Sequence, residues 1–278
     1  MPELPEVRAQ AGRLAERYAG TVLEAFEPLS FTALKSVSAS PDGAVGQPLE
    51  SVRSRGKYLL VQFEPVTFVV HLMQGGRLET ATGTAKRPKG GLARWRFAER
   101  DPLLLSEFGR EHRAGIWPVA GDPEGQEPLD HLGPDADAVP LEQLTELLGT
   151  QRGRIHGVLR DQRVIAGIGR RLANEVCHIA RLSPFAIAAK LTPDEVGRVH
   201  AAIRDAITAS LEFEATQDSM VRSKERPAAV HHRTGDPCDV CGDPVRAVEY
   251  GSYTVNYCPT CQTGGKVLAD NTTSKFLK

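Results

Sequence analysis

DQRVIAGIGRRLANEV, residues 161–176, sets two glycines two positions apart and then two arginines where a helix reads as starting. Glycines at a tight turn let backbone N–H groups approach an anion, and a helix N-terminus favours negative charge there. Around it, residues 151–182 carry seven arginines against Asp161 and Glu175, a local balance of +5. A charge run is ordinarily a solvated helical face, and a lone G-x-G is weak evidence. Glycine turn, helix start and arginines together favour a nucleic-acid backbone. Arg152, Gly169, Arg170 and Asn174 are the candidate contacts, within a helical region expected over 151–225.

Toward the C-terminus, Thr192-Pro193-Asp194-Glu195 offers Thr as N-cap, Pro at the first helical position and Glu three after the cap. That pattern predicts a helix running to about Glu214. Residues 217–237 are polar and interrupted by proline, which reads as loop. The segment 226–278 holds Cys238, Cys241, Cys258 and Cys261 in a C-x2-C-x16-C-x2-C pattern, on what reads as a small β ribbon. Two such turns present four thiolates to one Zn2+, a structural ion with no open coordination position. Two disulfides are the competing reading. The chain start lacks a basic stretch followed by an apolar run, so an oxidising destination is not expected. Cys177, in the apolar-flanked NEVCHIARL, reads as core filler.

Toward the N-terminus, residues 119–150 carry eight acids, no Lys or Arg, and four prolines ahead of a short helix. That composition marks a solvated connection between domains. Before it, TVLEAF, PLESVRSRGKYLLVQF, FVVHLMQGGRLE, RWRFAE and PLLLSE are short runs broken by Gly and Pro, the texture of β-strands. One amphipathic helix is expected ahead of them, over 6–19, with Val7, Leu14 and Tyr18 on its apolar face. Residues 1–118 thus read as a two-layer sheet sandwich.

The whole chain has 278 residues, 41% apolar and 25% charged, with net charge −1. This is ordinary globular composition, which argues against disorder or fibre. Neither the net charge nor any apolar run signals a polyanion partner or a membrane span, so charge has to be read locally. A cytoplasmic, nucleoid-associated location is the expectation.

The chain opens MPELPEV, residues 1–7. Prolines this near the end are not expected to help a helix begin. Removal of Met1, which a small second residue allows, would leave Pro2 with a secondary amine. An α-amino group titrates near ~8, so a useful fraction is unprotonated at neutral pH. Such an amine can attack a carbonyl-like carbon and form an iminium, with Glu3 and Glu6 near enough to act as acid or electrostatic partner. An ordinary terminus with helix-capping acids is the plainer reading of the same residues.

MPELPEV resembles the N-terminus of the formamidopyrimidine-DNA glycosylase / endonuclease VIII family, bifunctional enzymes that excise damaged bases and nick the strand. SRGKYLL (54–60) is similar to that family's lysine hairpin, and VVHLMQGGRLE (69–79) to its histidine-led strand and loop. DQRVIAGIG with ANEV (161–176) resembles its helix–two-turn–helix, and the four-cysteine block stands where its zinc finger stands. The matches run through the chain in family order. The resemblance implies an α+β fold: an N-terminal β-sandwich with flanking helices, a helix–two-turn–helix domain and a zinc-ribbon β-hairpin. It implies that Pro2 attacks C1′ of a damaged nucleotide rotated out of the duplex. Glu3 would be general acid and base, Glu6 would support the opened sugar, and Lys57 would contact phosphate and assist proton transfer. His71 and Arg170 would hold bent backbone. Lys57 as a surface lysine and His71 as a satisfied sheet histidine are the plain alternatives. The implied partner is damaged double-stranded DNA, acted on by a monomer with no small-molecule cofactor.

The departures from the family bear on substrate. Arg170 stands where the family has an asparagine that binds phosphate, and arginine can still do so bidentately. Tyr253 stands five residues before the third cysteine, where the family places a phosphate-gripping arginine that aids the second elimination. The ribbon has no arginine between Val248 and Cys258, so β-elimination is expected to outrun δ-elimination. Gln74, beside Met73, takes the position of the family's gap-filling methionine. The opposing-base reader falls in LSEFGREHRAG (105–115), where either Arg110 or Arg113 could serve. Three readings follow: a glycosylase/AP lyase of atypical lesion range, an AP lyase with weak base excision, or a non-catalytic binder of damaged DNA.

Overall fold

The computed structural model describes residues 1–36, 38–81, 85–86, 88–108 and 113–268. It has two compact units, Met1–Leu132 and Gly133–Lys278.

The first unit opens with helix α1 (Leu4–Tyr18), earlier than the sequence reading placed it. Glu3 is the N-cap and Pro5 lies in the first turn. A first-turn proline loses nothing, because N–H groups there have no intrahelical acceptor, so the helix starts across Pro5, where proline was not expected to help. Eight strands follow: β1 (Leu23–Pro28), β2 (Ser51–Arg55), β3 (Tyr58–Gln62), β4 (Val66–His71), β5 (Gly76–Thr80), β6 (Gly91–Phe97), β7 (Arg100–Glu107) and β8 (Gly115–Ala120). They form two antiparallel four-stranded sheets, ordered β1-β6-β7-β5 and β2-β3-β4-β8. Aromatic side chains fill the space between them, with the Phe26 ring 4.9 Å from Phe68 and 5.0 Å from Trp95. Helix α1 buries Leu4, Val7, Leu14 and Tyr18. Its Gln10 Nε2 donates to Leu78 O on β5 and its Tyr18 hydroxyl meets Thr80 Oγ1 at 2.8 Å.

Strand β8 is absent from the sequence reading because GIWPVA carries a proline. The outer place in the sheet order accommodates it: Pro118 lies opposite Phe68 of β4, and an edge strand tolerates the missing donor. The stretch read as a connection is therefore part ordered core. Strand β8 continues to Ala120, and Leu129 is buried with Leu60, Val69, Trp117 and Val119.

The second unit contains α2 (Leu141–Gly149), α3 (Ile155–Leu159), α4 (Arg170–Ile179), α5 (Pro193–Ala215), the hairpin of β9 (Arg246–Tyr250) and β10 (Tyr253–Tyr257), and α6 (Pro259–Thr263). Helix α5 has the expected cap: Thr192 Oγ1 accepts from Glu195 N, and Glu195 Oε2 accepts from Thr192 N at 2.8 Å. The ribbon is not separate from the helices, since both fall in one compact unit. Buried polar side chains of α4 account for this. Glu175 accepts N–H bonds from Ala229, Val230 and His231, and His178 Nε2 lies 3.3 Å from Cys238 Sγ. Among the described residues no helix is long and apolar enough to cross a membrane.

Candidate functional site

In the first unit the chain start is held inside the protein. Pro2, Glu3 and Glu6 are buried, while Met1 is 43% exposed. Glu6, the third residue of α1, accepts a hydrogen bond from Glu3 N at 2.6 Å and so fixes the approach of the chain to the helix. Lys57 lies in the two-residue turn between Arg55 of β2 and Tyr58 of β3. Gly56 precedes it at φ 54°, a conformation that costs glycine nothing and favours this hairpin turn. Lys57 is buried as well.

Pairing of β3 with β4 sets Tyr58 opposite His71, their rings 4.7 Å apart. His71 is 8% exposed, and its Nδ1 accepts from Met73 N at 3.1 Å. Burial first, then the positive charges of Lys57 and the chain-terminal amine, push the His71 imidazole down to about 4. The amine end and Lys57 thus lie within electrostatic reach of a neutral imidazole, one carried by a helix start and the other by a hairpin. Two cations, an uncharged imidazole and two buried carboxylates can bind an anion and move protons.

Two loops flank this group in the same unit. Gln74 is exposed in the β4–β5 turn, where Met73 has φ 51°. A Cβ on Gly75 would lie 2.9 Å from Phe108 O, so only glycine lets this turn approach that backbone so closely. Glu107 Oε2 accepts from Ala114 N at 2.8 Å and clasps the ends of the loop between them. Arg113 is exposed on that loop, and Arg110 lies outside the described residues. Glu107 was legible only as an acid before Phe108; its clasp depends on contacts the sequence does not display.

In the second unit the glycine turn is built as read, with Gly167 at φ 101° and Gly169 as the N-cap of α4. Gln162 staples it: Oε1 accepts from Gly167 N and Nε2 donates to Ile168 O, both at 2.9 Å. The arginines part company there. Arg170 donates to Ser252 O at 3.2 Å, whereas Arg171 is buried and donates to Ser210 on α5. Arg152 is exposed. Asn174 corrects the sequence reading. It is 0% exposed, 2.8 Å from His231 Nδ1, and accepts from Asn256 N, so it has no surface to offer DNA and instead anchors the ribbon.

Tyr253 joins an aromatic stack. Its ring lies 4.6 Å from Tyr250 and nearly parallel to it, and the Arg160 guanidinium stands 4.4 Å from its centroid. Arg154 donates to the Tyr250 hydroxyl at 3.1 Å. Arg154 and Arg160 belonged to the basic run in the sequence, but nothing there linked them to a ribbon some ninety residues on (~90, as chain contacts of high separation are not local in pattern).

The four ribbon thiols lie within 4.8 Å of one another, with Cys241 Sγ 3.4 Å from Cys258 Sγ and Cys238 Sγ 3.9 Å from Cys261 Sγ. These separations exclude disulfide bonds and suit a tetrahedron, in which bonds of ~2.3 Å set sulfurs ~3.8 Å apart. The cluster could hold one metal ion. Cys177 is apart from it, and burial pushes its thiol up to about 12.

Residues 1–108 match the family model for the formamidopyrimidine-DNA glycosylase N-terminal domain, and residues 131–221 that for its H2TH domain. An uncharacterized formamidopyrimidine-DNA glycosylase-like protein of Mycobacterium tuberculosis is 43% identical over 162 residues, 58% of this chain and 100% of that one. The formamidopyrimidine-DNA glycosylase of Symbiobacterium thermophilum is 31% identical over 94% of this chain and 89% of its own. The Lactococcus lactis formamidopyrimidine-DNA glycosylase, solved non-covalently bound to DNA containing an AP site, shares the fold at TM-score 0.82. It is 21% identical and covers 94% of this chain and 99% of its own.

Proposed function

This chain belongs to the formamidopyrimidine-DNA glycosylase family, and on that premise we propose that it is a base-excision DNA glycosylase with AP lyase activity. The observation that carries the reading is the buried, hydrogen-bonded chain start of Pro2, Glu3 and Glu6, whose amine end acts together with Lys57 on a neutral His71. Removal of Met1 frees the Pro2 nitrogen. Its lone pair forms a bond to C1′ of the damaged nucleotide as the glycosidic bond breaks; the base leaves with the electron pair of that broken bond and takes up the proton that the Pro2 nitrogen gives up. Glu3 protonates O4′ as the ring opens to the iminium, and Glu6 holds Glu3 in place while supporting the opened sugar. Loss of a proton from C2′ then expels the 3′ phosphate, and water releases the sugar from the amine.

Lys57 binds phosphate beside the lesion, where its partly desolvated setting strengthens the attraction between ammonium and phosphate. The exposed Gln74 enters the space left by the rotated nucleotide, and Arg110 or Arg113 reads the opposing base. Gly169, Arg170 and Arg152 meet the backbone in the second unit. The four cysteines hold one structural Zn2+, which takes no part in the chemistry. Oxidised pyrimidines or ring-opened purines are the proposed lesions.

Borohydride trapping on a duplex with one abasic site tests the amine. The processed protein is expected to form a covalent adduct, and protein retaining Met1 is expected to form none. Trapping by the unprocessed protein, or none by either form, would sink the Pro2 mechanism. Base release from a panel of defined lesions tests the glycosylase half.

A further inference from the structure

Three guanidinium groups converge on the four-residue hairpin turn Tyr250–Tyr253. Arg154 donates to the Tyr250 hydroxyl, Arg170 donates to Ser252 O, and Arg160 stacks over the Tyr253 ring. Among the described residues none of the three is paired with a carboxylate. Their neighbours in sequence are spent: Arg163 pairs with Asp161 at 2.9 Å, and Arg171 turns inward to Ser210.

Arg160 differs from its two companions. Arg154 and Arg170 each commit a donor to the turn, whereas Arg160 is held through its face. Stacking on an aromatic ring orients the plane of a guanidinium yet leaves its N–H edge available. A planar edge of that kind matches two oxygens of a phosphodiester bidentately. Tyr253 is itself fixed, lying 4.6 Å from Tyr250 and stacked with the buried His156 at 6.4 Å. A phosphate grip is thus built from α3's end and the ribbon tip, with the aromatic pair as its platform.

We propose that Arg160, stacked on Tyr253, binds a DNA backbone phosphate, and that Tyr253 is the residue that positions it. The inference rests on the DNA-binding reading above and deepens it. The arginine wanting from the ribbon itself is supplied from the neighbouring helix.

The test is equilibrium binding to a duplex carrying a tetrahydrofuran abasic analogue, measured across a salt series. Arg160→Ala is expected to weaken binding on the order of tenfold and to lower the salt slope by about 0.9, the share of one phosphate contact. Tyr253→Leu should shift both quantities the same way by less, and Arg163→Ala should shift neither. The double variant Arg160→Ala/Tyr253→Arg returns a guanidinium to the same place and should restore the slope, which a merely structural role would not do. Wild-type affinity and slope in Arg160→Ala, with wild-type protein binding normally, would overturn this inference alone. Failure of the wild-type protein to bind the duplex would overturn it together with the proposed function. Loss of binding in Arg160→Ala with an unchanged slope would also overturn it.

Discussion

Glu3 donates its backbone N–H to Glu6 Oε2 at 2.6 Å, with both residues buried at the start of α1. The bond spans three residues and ties the chain before the helix to the helix itself. Pro2 therefore emerges from a fixed point and not from a loose end. Glu6→Gln keeps an acceptor oxygen and should leave stability within about 1 kcal/mol, whereas Glu6→Ala strands a buried donor and should cost about 1–3 kcal/mol. Urea unfolding checks the stability, and borohydride trapping should fall at least ~tenfold in Glu6→Ala. Unaltered unfolding in Glu6→Ala would refute this account of the helix start.

His71 stays neutral in the folded protein down to about 4. The unfolded chain takes up that proton near 6.5, so between these values it binds more protons than the folded state. Stability should accordingly fall as pH drops from about 6.5 to about 4, by on the order of 3 kcal/mol from this residue. His71→Gln should flatten that part of the profile. A wild-type stability that is level over this range would contradict the assignment.

Glu175 accepts N–H bonds from three consecutive residues, Ala229, Val230 and His231. Glu175→Ala leaves these donors without their acceptor and should destabilise the second unit by about 3 kcal/mol or more. Thermal unfolding should show the second unit melting earlier. Equal melting of variant and wild type would show that the loop is held by other means.

Metal removal should act on the same unit. A chelator is expected to release one ion per chain and weaken DNA binding at least ~tenfold, because the cysteine cluster ties the ribbon's two ends together. The sheet sandwich of the first unit should keep its unfolding midpoint. Simultaneous loss of both units would argue that the ribbon supports more than its own fold.

Motifs set by local chemistry could be read directly from the chain. Thr192 through Glu195 specify a helix start, two C-x2-C turns specify a thiolate tetrahedron, and Gly56–Lys57 specifies a tight hairpin, each within a few residues. MPELPEV, SRGKYLL and the glycine turn, taken in order, pointed to the fold and to the amine end. What the sequence withheld depends on pairing between distant segments. Strand β8 looked unlike a strand until its edge position made room for Pro118. Asn174 looked like a contact for DNA until packing of α4 turned it inward. Arg160 and Tyr253, 93 positions apart in sequence, meet only because the ribbon folds back on the helices. Polar side chains carry no mark in sequence of whether they face solvent or a buried partner. Burial settles that choice, and burial is a property of the assembled fold.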